Sequence, residues 1–420
     1  MAAIADLFDR PEEGAGEDRQ LSAADARLSQ AAPSGAIVLG ADYRGLGIVR
    51  SLGRRGVPIW VVRGHHTVAC HSRFVERVLD WDADTEHDPG ARLLALGRSV
   101  IPGFWALFPT TDQMTAAIAR HRAELSRYFV VTTEREPVVA VGQDKRQSHS
   151  LAARNGIGFP RTWLPTGIED LEEIDADFPL IVKPAVKARA NRLTHDKAWK
   201  AGDRVELRRR YEDALRLLPA DQIMIQDLIP GDGRYQLSYA GVMDRGRPVA
   251  DVVARRLRQY PRHVGLHSTF VVSVEDGEVE QAAQRLVADL DYTGLIEIEF
   301  KRDPRDQSLN LLDINTRAWG WHTLGARSKV DFVHITWQLL QGIPVTPVRV
   351  PAGQTWMRLL TDALVAGQDI RSKHLSVREY VRLLARRHDP AVFAADDPLP
   401  ALADGPRMAY LRWKRTLGPA

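Results

Sequence analysis

The sequence predicts a multidomain protein: an α/β unit with a mostly parallel sheet, then an α+β unit, then a mainly helical C-terminal region. Three features point to it. The stretch "GAIVLGADYRGLGIVRSLGRRGVPIWVV" is a strand, glycine turn, amphipathic helix and second strand in succession. After Asp144 the pattern changes from alternating strands and helices to antiparallel strands with period-two alternation. After about residue 345 a proline-rich stretch, "GIPVTPVRVPAG", leads into helical periodicity. At 420 residues, two or three domains are the expected number.

Residues 1–34 are rich in Ala, Gly, Glu, Asp and Ser with little periodicity, which predicts a mobile leader. In the unit over residues 35–143, Ala36 to Leu39 and Pro58 to Val62 read as strands. The helix between them has Leu46, Ile48, Val49 and Leu52 on its apolar side. Gly40, Gly45 and Gly47 are spaced G-x-x-x-x-G-x-G, which is not the dinucleotide fingerprint, and no acid closes the second strand at Val61-Val62-Arg63. A tight strand-to-helix turn accounts for these glycines without a nucleotide. Further on, "FWALFPTTDQMTAAIARHRAEL" reads as a strand, a turn with Thr110, Thr111 and Asp112, and a helix.

The second unit spans residues 144–345. It begins with a helix in "DKRQSHSLAARNGI", then "FPRTWL", an acidic helix, the strand "FPLIVKPAV" and a basic helix from Arg204 to Leu218. The strand "QIMIQDLIPGDG" follows, then antiparallel strands around the Asp-Arg-Gly turn of "YQLSYAGVMDRGRPVADVVARRLRQY". A helix from Glu278 to Leu290 precedes the two strands of "YTGLIEIEFKRDPRDQSLNLLDINTR". Residues 346–420 form the mainly helical C-terminal region.

Bulk properties narrow the partners. The 57 basic and 54 acidic residues nearly cancel, which argues against a nucleic-acid or membrane binder. Cys70 is the single cysteine, so neither an internal disulfide nor a cysteine-rich metal cluster is available. No segment has the ~20 uninterrupted apolar residues of a membrane helix, and the start lacks a signal-peptide core. The expectation is a cytoplasmic protein acting on small molecules, with a homodimer left open.

The chemistry concentrates in the last two strands. Alternation puts Glu297 and Glu299 on one face, and Asp313, Asn315 and Arg317 on one face of the next strand. If the two faces coincide, carboxylates, an amide carbonyl and a guanidinium meet at one site. Such oxygen ligands suit Mg²⁺ or Mn²⁺, and Arg317 beside them suits phosphate or carboxylate oxygens. A solvated sheet face would account for a single acid. Several acids in phase, framed by Leu, Ile and Phe, would be costly to bury without a cation. Lys183 ends an apolar strand and Lys145 opens a helix; either is a surface residue when taken alone, and together they could reach phosphates. The strand "MIQDLIPGD" offers an apolar edge and backbone groups for adenine, and Asp232 stands where ribose hydroxyls would lie.

The order Lys145, Lys183, "IQDLIPGD", "GLIEIEF", "LLDINTR" resembles the ATP-grasp superfamily over about residues 144–345. The unit before it resembles that superfamily's Rossmann-like pre-ATP-grasp domain. The nearest likeness is to the carboxylate–amine ligase branch, which includes D-aspartate ligase-like proteins, with "ARRLRQYPRHVG" and "VRLLARRHDPAVFAADDPLP" as further matching stretches. The resemblance implies ATP and Mg²⁺ (or Mn²⁺) as cofactors and a carboxylate and an amine as substrates. Lys145 and Lys183 would grip α- and β-phosphates. Gln226, Asp227, Leu228 and Ile229 would meet adenine. Glu299, Asp313 and Asn315 would hold two Mg²⁺ ions, with Glu297 as second choice to Glu299, which lies five residues after Gly294. Arg317 would stabilise the transferred phosphoryl group.

Two departures stand out. The second metal acid, usually glutamate, is Asp313, and the loop after Lys183, usually glycine-rich, reads "AVKARANRLTHDKAWKAG". Its Lys187, Arg189, Arg192 and Lys197 offer charge in place of a backbone cradle. Arg255, Arg256 and Arg258, with His263 and His267, are expected near the γ-phosphate, and Arg258 and His267 are the expected substrate contacts; solvated strand charges are the plainer alternative. The expected activity is ligation through an acyl-phosphate. Two rivals remain: phosphorylation of an enol or other oxygen followed by amino-acid displacement, and a non-catalytic nucleotide-binding regulatory module, favoured by the missing glycine loop.

Overall fold

Three sheets organise the chain in a computed structural model, which describes residues 32–81, 88–99, 105–187, 198–260 and 267–406. The first is the parallel sheet expected from the opening unit. Its strands are β1 (Gly35–Leu39), β2 (Ile59–Val62), β3 (Arg77–Leu79), β4 (Trp105–Pro109) and β5 (Val130–Val131), in the order β3-β2-β1-β4-β5. Helices α1 (Tyr43–Gly53), α2 (Pro89–Ser99) and α3 (Asp112–Arg120) connect them. At the end of β1 the chain turns at Gly40, whose φ of +125° suits a residue without a Cβ. Asp42 then caps α1, accepting from the Arg44 amide at 2.8 Å, and Leu46, Ile48, Val49 and Leu52 are wholly buried as the periodicity predicts.

Helices α4 (Glu136–Gln143) and α5 (Lys145–Arg154), the latter capped by Asp144, lead to a four-stranded antiparallel sheet. It comprises β6 (Thr162–Trp163), β7 (Leu180–Pro184), β8 (Trp199–Ala201) and β9 (Ile223–Asp227), in the order β6-β9-β7-β8. Helix α6 (Arg204–Leu215) closes its own small core through Leu207 and Tyr211 against Leu180, Val182 and Ile225.

The third sheet has eight strands: β10 (Gln236–Asp244), β11 (Arg247–Tyr260), β12 (His267–Ser273), β13 (Gly294–Arg302), β14 (Leu309–Asn315), β15 (Val348–Arg349), β16 (Thr355–Met357) and β17 (Asp389–Pro390). The order is β14-β13-β10-β11-β12-β16-β17, with β15 paired to β11. The β10–β11 hairpin turns at Arg245 and Gly246, both at positive φ, as a two-residue turn joining twisted strands requires. Helices α7 (Gly277–Asp289), α8 (Phe332–Leu340), α9 (Leu359–Arg371) and α10 (Val377–Leu384) lie between these strands along the chain. No helix among the described residues is long and apolar enough to cross a membrane.

The C-terminal region is less purely helical than its periodicity suggests. It gives β15, β16 and β17 to the large sheet, in runs of two or three residues that are too short to show a period. The leader up to residue 31 and the end from 407 lie outside the described residues.

Helix α1 and the inner face of the parallel sheet share one core with the large sheet. Val38, Leu46 and Val49 join Ala240, Val242, Val271, Trp319, Trp321 and Phe332 in a single buried cluster. Each Val, Leu or Phe among them contributes about 1.5–3 kcal/mol by leaving water, so the first sheet is fixed against the face that carries the charged hairpin.

Candidate active site

Hairpin β13–β14 brings its polar faces together. Glu297 is the cross-strand partner of Asn315, and Glu299 that of Asp313. Alternation alone would place Leu309 and Leu311 on the same face as Asp313 and Asn315. The ladder slips by one residue at Leu312, however, so Leu309, Leu311 and Ile314 enter the core while Asp313 and Asn315 face the site. The sequence "LNLL" carries this slip as two apolar phases side by side.

Asn315 links the carboxylates: its Nδ2 donates to Glu297 Oε2 at 3.1 Å and to Glu299 Oε1 at 3.2 Å. Trp321 Nε1 donates to the other oxygen of Glu297 at 2.9 Å. Trp319 is fully buried against Trp321 and Phe332, and it anchors the turn that delivers both Arg317 and Trp321. Glu299 Oε2 accepts from Gln236 Nε2 at 3.0 Å and Arg256 Nη2 at 3.1 Å. Burial, reinforced by the charge of Glu299, pushes the Glu297 carboxyl up to about 8.

Cations ring the other end. Lys145 Nζ donates to Asp313 and, at 2.9 Å, to the Leu312 carbonyl at the slip. Lys187 Nζ lies 3.0 Å from Asp313 Oδ1 and 3.1 Å from Asn315 Oδ1. These lysines meet because an antiparallel bridge joins Asp144 to Val186; Lys145 N donates to Ala185 O at 2.9 Å, and Lys187 N to Gln143 O at 2.8 Å. Arg317 forks onto Asp112 at 2.9 and 2.8 Å and also reaches Asn315 Oδ1 at 3.2 Å. Burial opposes ionisation of Asp112, yet Arg317 and Lys187 hold it below the usual carboxylate range. Burial lowers Lys145, with Asp313 opposing, whereas Asp112 and Asp313 overcome burial to raise Lys187.

On the four-stranded sheet, Lys183 Nζ donates to Gln226 Oε1 at 2.6 Å, and Gln226 Nε2 to Thr162 Oγ1 at 2.8 Å. Lys183 and Lys145, from different elements, both act on His149; burial and their charges push its pKa down to about 3. Asp227 pairs with Arg161 at 2.8 Å, and Leu228 is exposed beside it. Lys301 Nζ holds the Ile229 and Gly231 carbonyls at 2.8 Å each, shaping the turn before Asp232, which accepts from Arg234 N at 3.0 Å.

Not every expected residue joins the cluster. Arg258 forks onto Asp362 at 2.8 Å through both nitrogens and stacks over Phe270. Between Arg256 and Arg258 strand β11 has a register shift that turns the second arginine away, so Arg256 reaches Glu299 and Arg258 does not. His267 opens β12 opposite Tyr260, exposed. His263, Arg189, Arg192 and Lys197 lie outside the described residues. Asp112, Gln236 and Trp321 escaped sequence reading as site residues. Asp112 had a local signal, a helix start after a strand end, but the other two are fixed only by long-range pairing.

Among the described residues no three acidic, histidine or cysteine side chains already converge as a metal cage. The donor set still fits Mg²⁺, which takes few protein oxygens and completes its shell with phosphate and water. Glu299 and Asp313 face each other across the ladder, with Asn315 beside them.

No protein-family model matches the chain. In sequence it is similar to the D-aspartate ligase of Enterococcus faecium (strain Aus0004), 23% identical over 226 residues, which are 51% of this chain and 53% of that protein. It is also similar to the C-terminal section of the carbamoyl phosphate synthase large chain of Methanopyrus kandleri, 23% identical over 189 residues, 42% of this chain and 33% of that one. The chain thus spans about half of the first relative and a third of the second. In structure it is similar to the N5-carboxyaminoimidazole synthetase of Staphylococcus aureus complexed with ADP, with a TM-score of 0.62 at 11% identity over 82% of this chain and 87% of that one. An L-amino acid ligase from Bacillus licheniformis gives 0.58 at 13% over 77% and 79%. The biotin carboxylase domain of the Hydrogenobacter thermophilus 2-oxoglutarate carboxylase, in complex with MgADP, ADP and bicarbonate, gives 0.61 at 13% over 77% and 73%. At these identities the likeness is one of fold.

Proposed function

We propose that this chain is a member of the ATP-grasp superfamily and acts as an ATP-dependent ligase joining a carboxylate to an amine, an amino acid as one substrate, with release of ADP and phosphate. The observation that supports this most is the cross-strand pairing of Glu299 with Asp313 and of Glu297 with Asn315, ringed by Lys145, Lys187 and Arg317. A fold that only held a nucleotide would not need buried acids and an arginine at this end.

The residues divide the work. Lys145 and Lys183 bind phosphate oxygens, while Gln226, Asp227 and the backbone of Leu228 and Ile229 line the adenine seat, with Asp232 at the ribose. Mg²⁺ or Mn²⁺, when bound by Glu299, Asp313 and Asn315 with Glu297 in reserve, neutralises phosphate charge and polarises the γ-phosphoryl group. Arg317, aimed by Asp112, steadies the three equatorial oxygens of that group. A substrate carboxylate oxygen forms a bond to the γ-phosphorus as the bond to the bridging oxygen of ADP breaks. The amine nitrogen then bonds to the acyl carbon, the carbon–oxygen bond to phosphate breaks, and the nitrogen sheds a proton.

The test is ADP release from Mg-ATP with pools of amino acids and small carboxylates, with product masses read by mass spectrometry. A mass equal to two substrates less water supports the ligase and names its partners. An amine-for-oxygen exchange on an enol supports transfer to an oxygen instead. Tight Mg-ATP binding without turnover supports the regulatory module, and absence of binding ends the reading.

A further inference from the structure

The loop after Lys183 has no glycine before Gly202, so a cradle built of consecutive glycines is not available to it. Lys187 stands at the start of that loop. Its backbone is pinned, with its amide on Gln143 O at 2.8 Å and Val186 bridged to Asp144. Its ammonium is 3.0 Å from Asp313 Oδ1, 3.1 Å from Asn315 Oδ1, 3.1 Å from Ile314 O and 3.8 Å from Asp112 Oδ1. It therefore sits on two of the oxygens that the ligase reading gives to the metal, beside the Asp112 carboxylate that aims Arg317.

We propose that Lys187 is a catalytic residue of this chain: it holds the metal's place at Asp313 and Asn315, and on arrival of the metal–nucleotide it moves onto the transferred phosphoryl group, in place of a glycine loop. The proposal rests on the ligase reading. A divalent cation bound to both oxygens would take the lone pairs that the Lys187 ammonium uses at Asp313 and Asn315, and its charge would repel the ammonium at that range. A lysine gives up its contacts readily, being a point charge on a flexible stem with three rotatable donors. With its backbone fixed, the displaced ammonium stays within a side chain's length of the phosphate oxygens that complete the metal's shell. Lys145 shares the Asp313 oxygen but is tied to the Leu312 carbonyl, whereas Lys187 also meets the Asn315 oxygen, so the two positions are not duplicates.

The test compares the full chain with Lys187→Met and Lys187→Arg. Mn²⁺ is titrated without nucleotide and followed by electron paramagnetic resonance, and steady-state ADP release is measured with the substrate pair found above. Lys187→Met should bind Mn²⁺ about tenfold more tightly, since the ammonium that meets both the Asp313 and the Asn315 oxygens is gone and only Lys145 remains on Asp313. Its kcat should fall roughly a hundredfold while KM for ATP stays within about threefold, as expected for a contact made in the transition state. Lys187→Arg should keep an intermediate kcat. Unchanged Mn²⁺ affinity, or a Lys187→Met kcat within about twofold of wild type, overturns the proposal. If wild type releases no ADP with any pool, the ligase reading fails, and the Mn²⁺ titration still decides whether Lys187 holds the metal's place. If Lys187→Met melts early, Lys187→Gln takes its place in both measurements.

Discussion

Among the described residues, buried opposite charges are assembled in two different ways. In the C-terminal part, Arg258 forks onto the fully buried Asp362, which also accepts from Thr269 Oγ1 at 3.0 Å. Arg50 meets Asp397 at 2.9 Å, and Ser72 and the Arg73 amide take up the rest of that carboxylate. Each is one acid and one planar fork with fixed geometry, suited to docking elements together. At the β13–β14 hairpin the acids instead crowd one another. Glu297 is met by two neutral donors, and Asp313 by two lysines, which are releasable. Closed pairs hold a fold; an acid cluster balanced by movable ammonium groups is ready to exchange them for a ligand.

The largest expected effect tests that distinction. Glu299→Gln or Asp313→Asn should lower ADP release by roughly a thousandfold or more, because each removes a charge that the metal and phosphoryl group require. For Asp313→Asn, whose partners are lysines, the melting temperature should move by no more than about 4 °C, the effect of ~1 kcal/mol or less. Glu299→Gln also loosens the Arg256 pair and should cost more stability. Turnover at the wild-type rate would take the metal role from these residues, and a chain that fails to fold would make the hairpin cluster as structural as the C-terminal pairs.

Asp362→Ala approaches the comparison from the other side. Breaking a buried pair from one partner leaves Arg258 uncompensated, so denaturant unfolding should report a loss of about 3–5 kcal/mol. The Kd for Mg-ATP should stay as it was. A variant that kept its stability and lost turnover instead would return Arg258 to the substrate contacts, the role expected of it in the sequence. A smaller effect is expected at Lys183→Met, which removes a cation from the Gln226 end. KM for ATP should rise about tenfold with little change in kcat. A pure kcat loss would move Lys183 to the reacting end of the nucleotide.

Strand alternation and element order made the hairpin and its two polar faces legible in the sequence, because side-chain direction in a regular strand needs no long-range information. The parallel character of the first sheet and the helix start at Lys145 were legible too, from the alternation of strands and helices. Register was not. The slip at Leu312 and the one between Arg256 and Arg258 each insert a residue and turn everything beyond to the opposite face. At Leu312 the doubled apolar phase announces it; in "ARRLRQY" arginines flank Leu257 on both sides, and nothing local distinguishes the one that will face Glu299. Asp112 reaches Arg317 from 205 residues away, and only the packing of the first sheet on the large one brings them together.

The smallest expected effect separates the two glutamates. Glu297 is the deeper of the pair, and its neighbours Asn315 and Trp321 are neutral donors that offer the carboxylate no countercharge. The folded chain holds a proton on it up to about 8, against an ordinary value of 4.5. Between those values the folded form binds more protons than the unfolded one, so stability without metal should fall as pH rises across that window. Glu297→Gln should flatten the slope and reduce turnover by less than about tenfold, more mildly than Glu299→Gln. Mg²⁺ tells which carboxylate it meets: a cation favours the ionised form, so adding it should flatten the wild-type slope only if Glu297 faces the metal directly. A slope that survives Mg²⁺, together with near-normal turnover in Glu297→Gln, would leave Glu299 and Asp313 as the metal's acids and Glu297 as the buried brace that fixes Asn315 beside them.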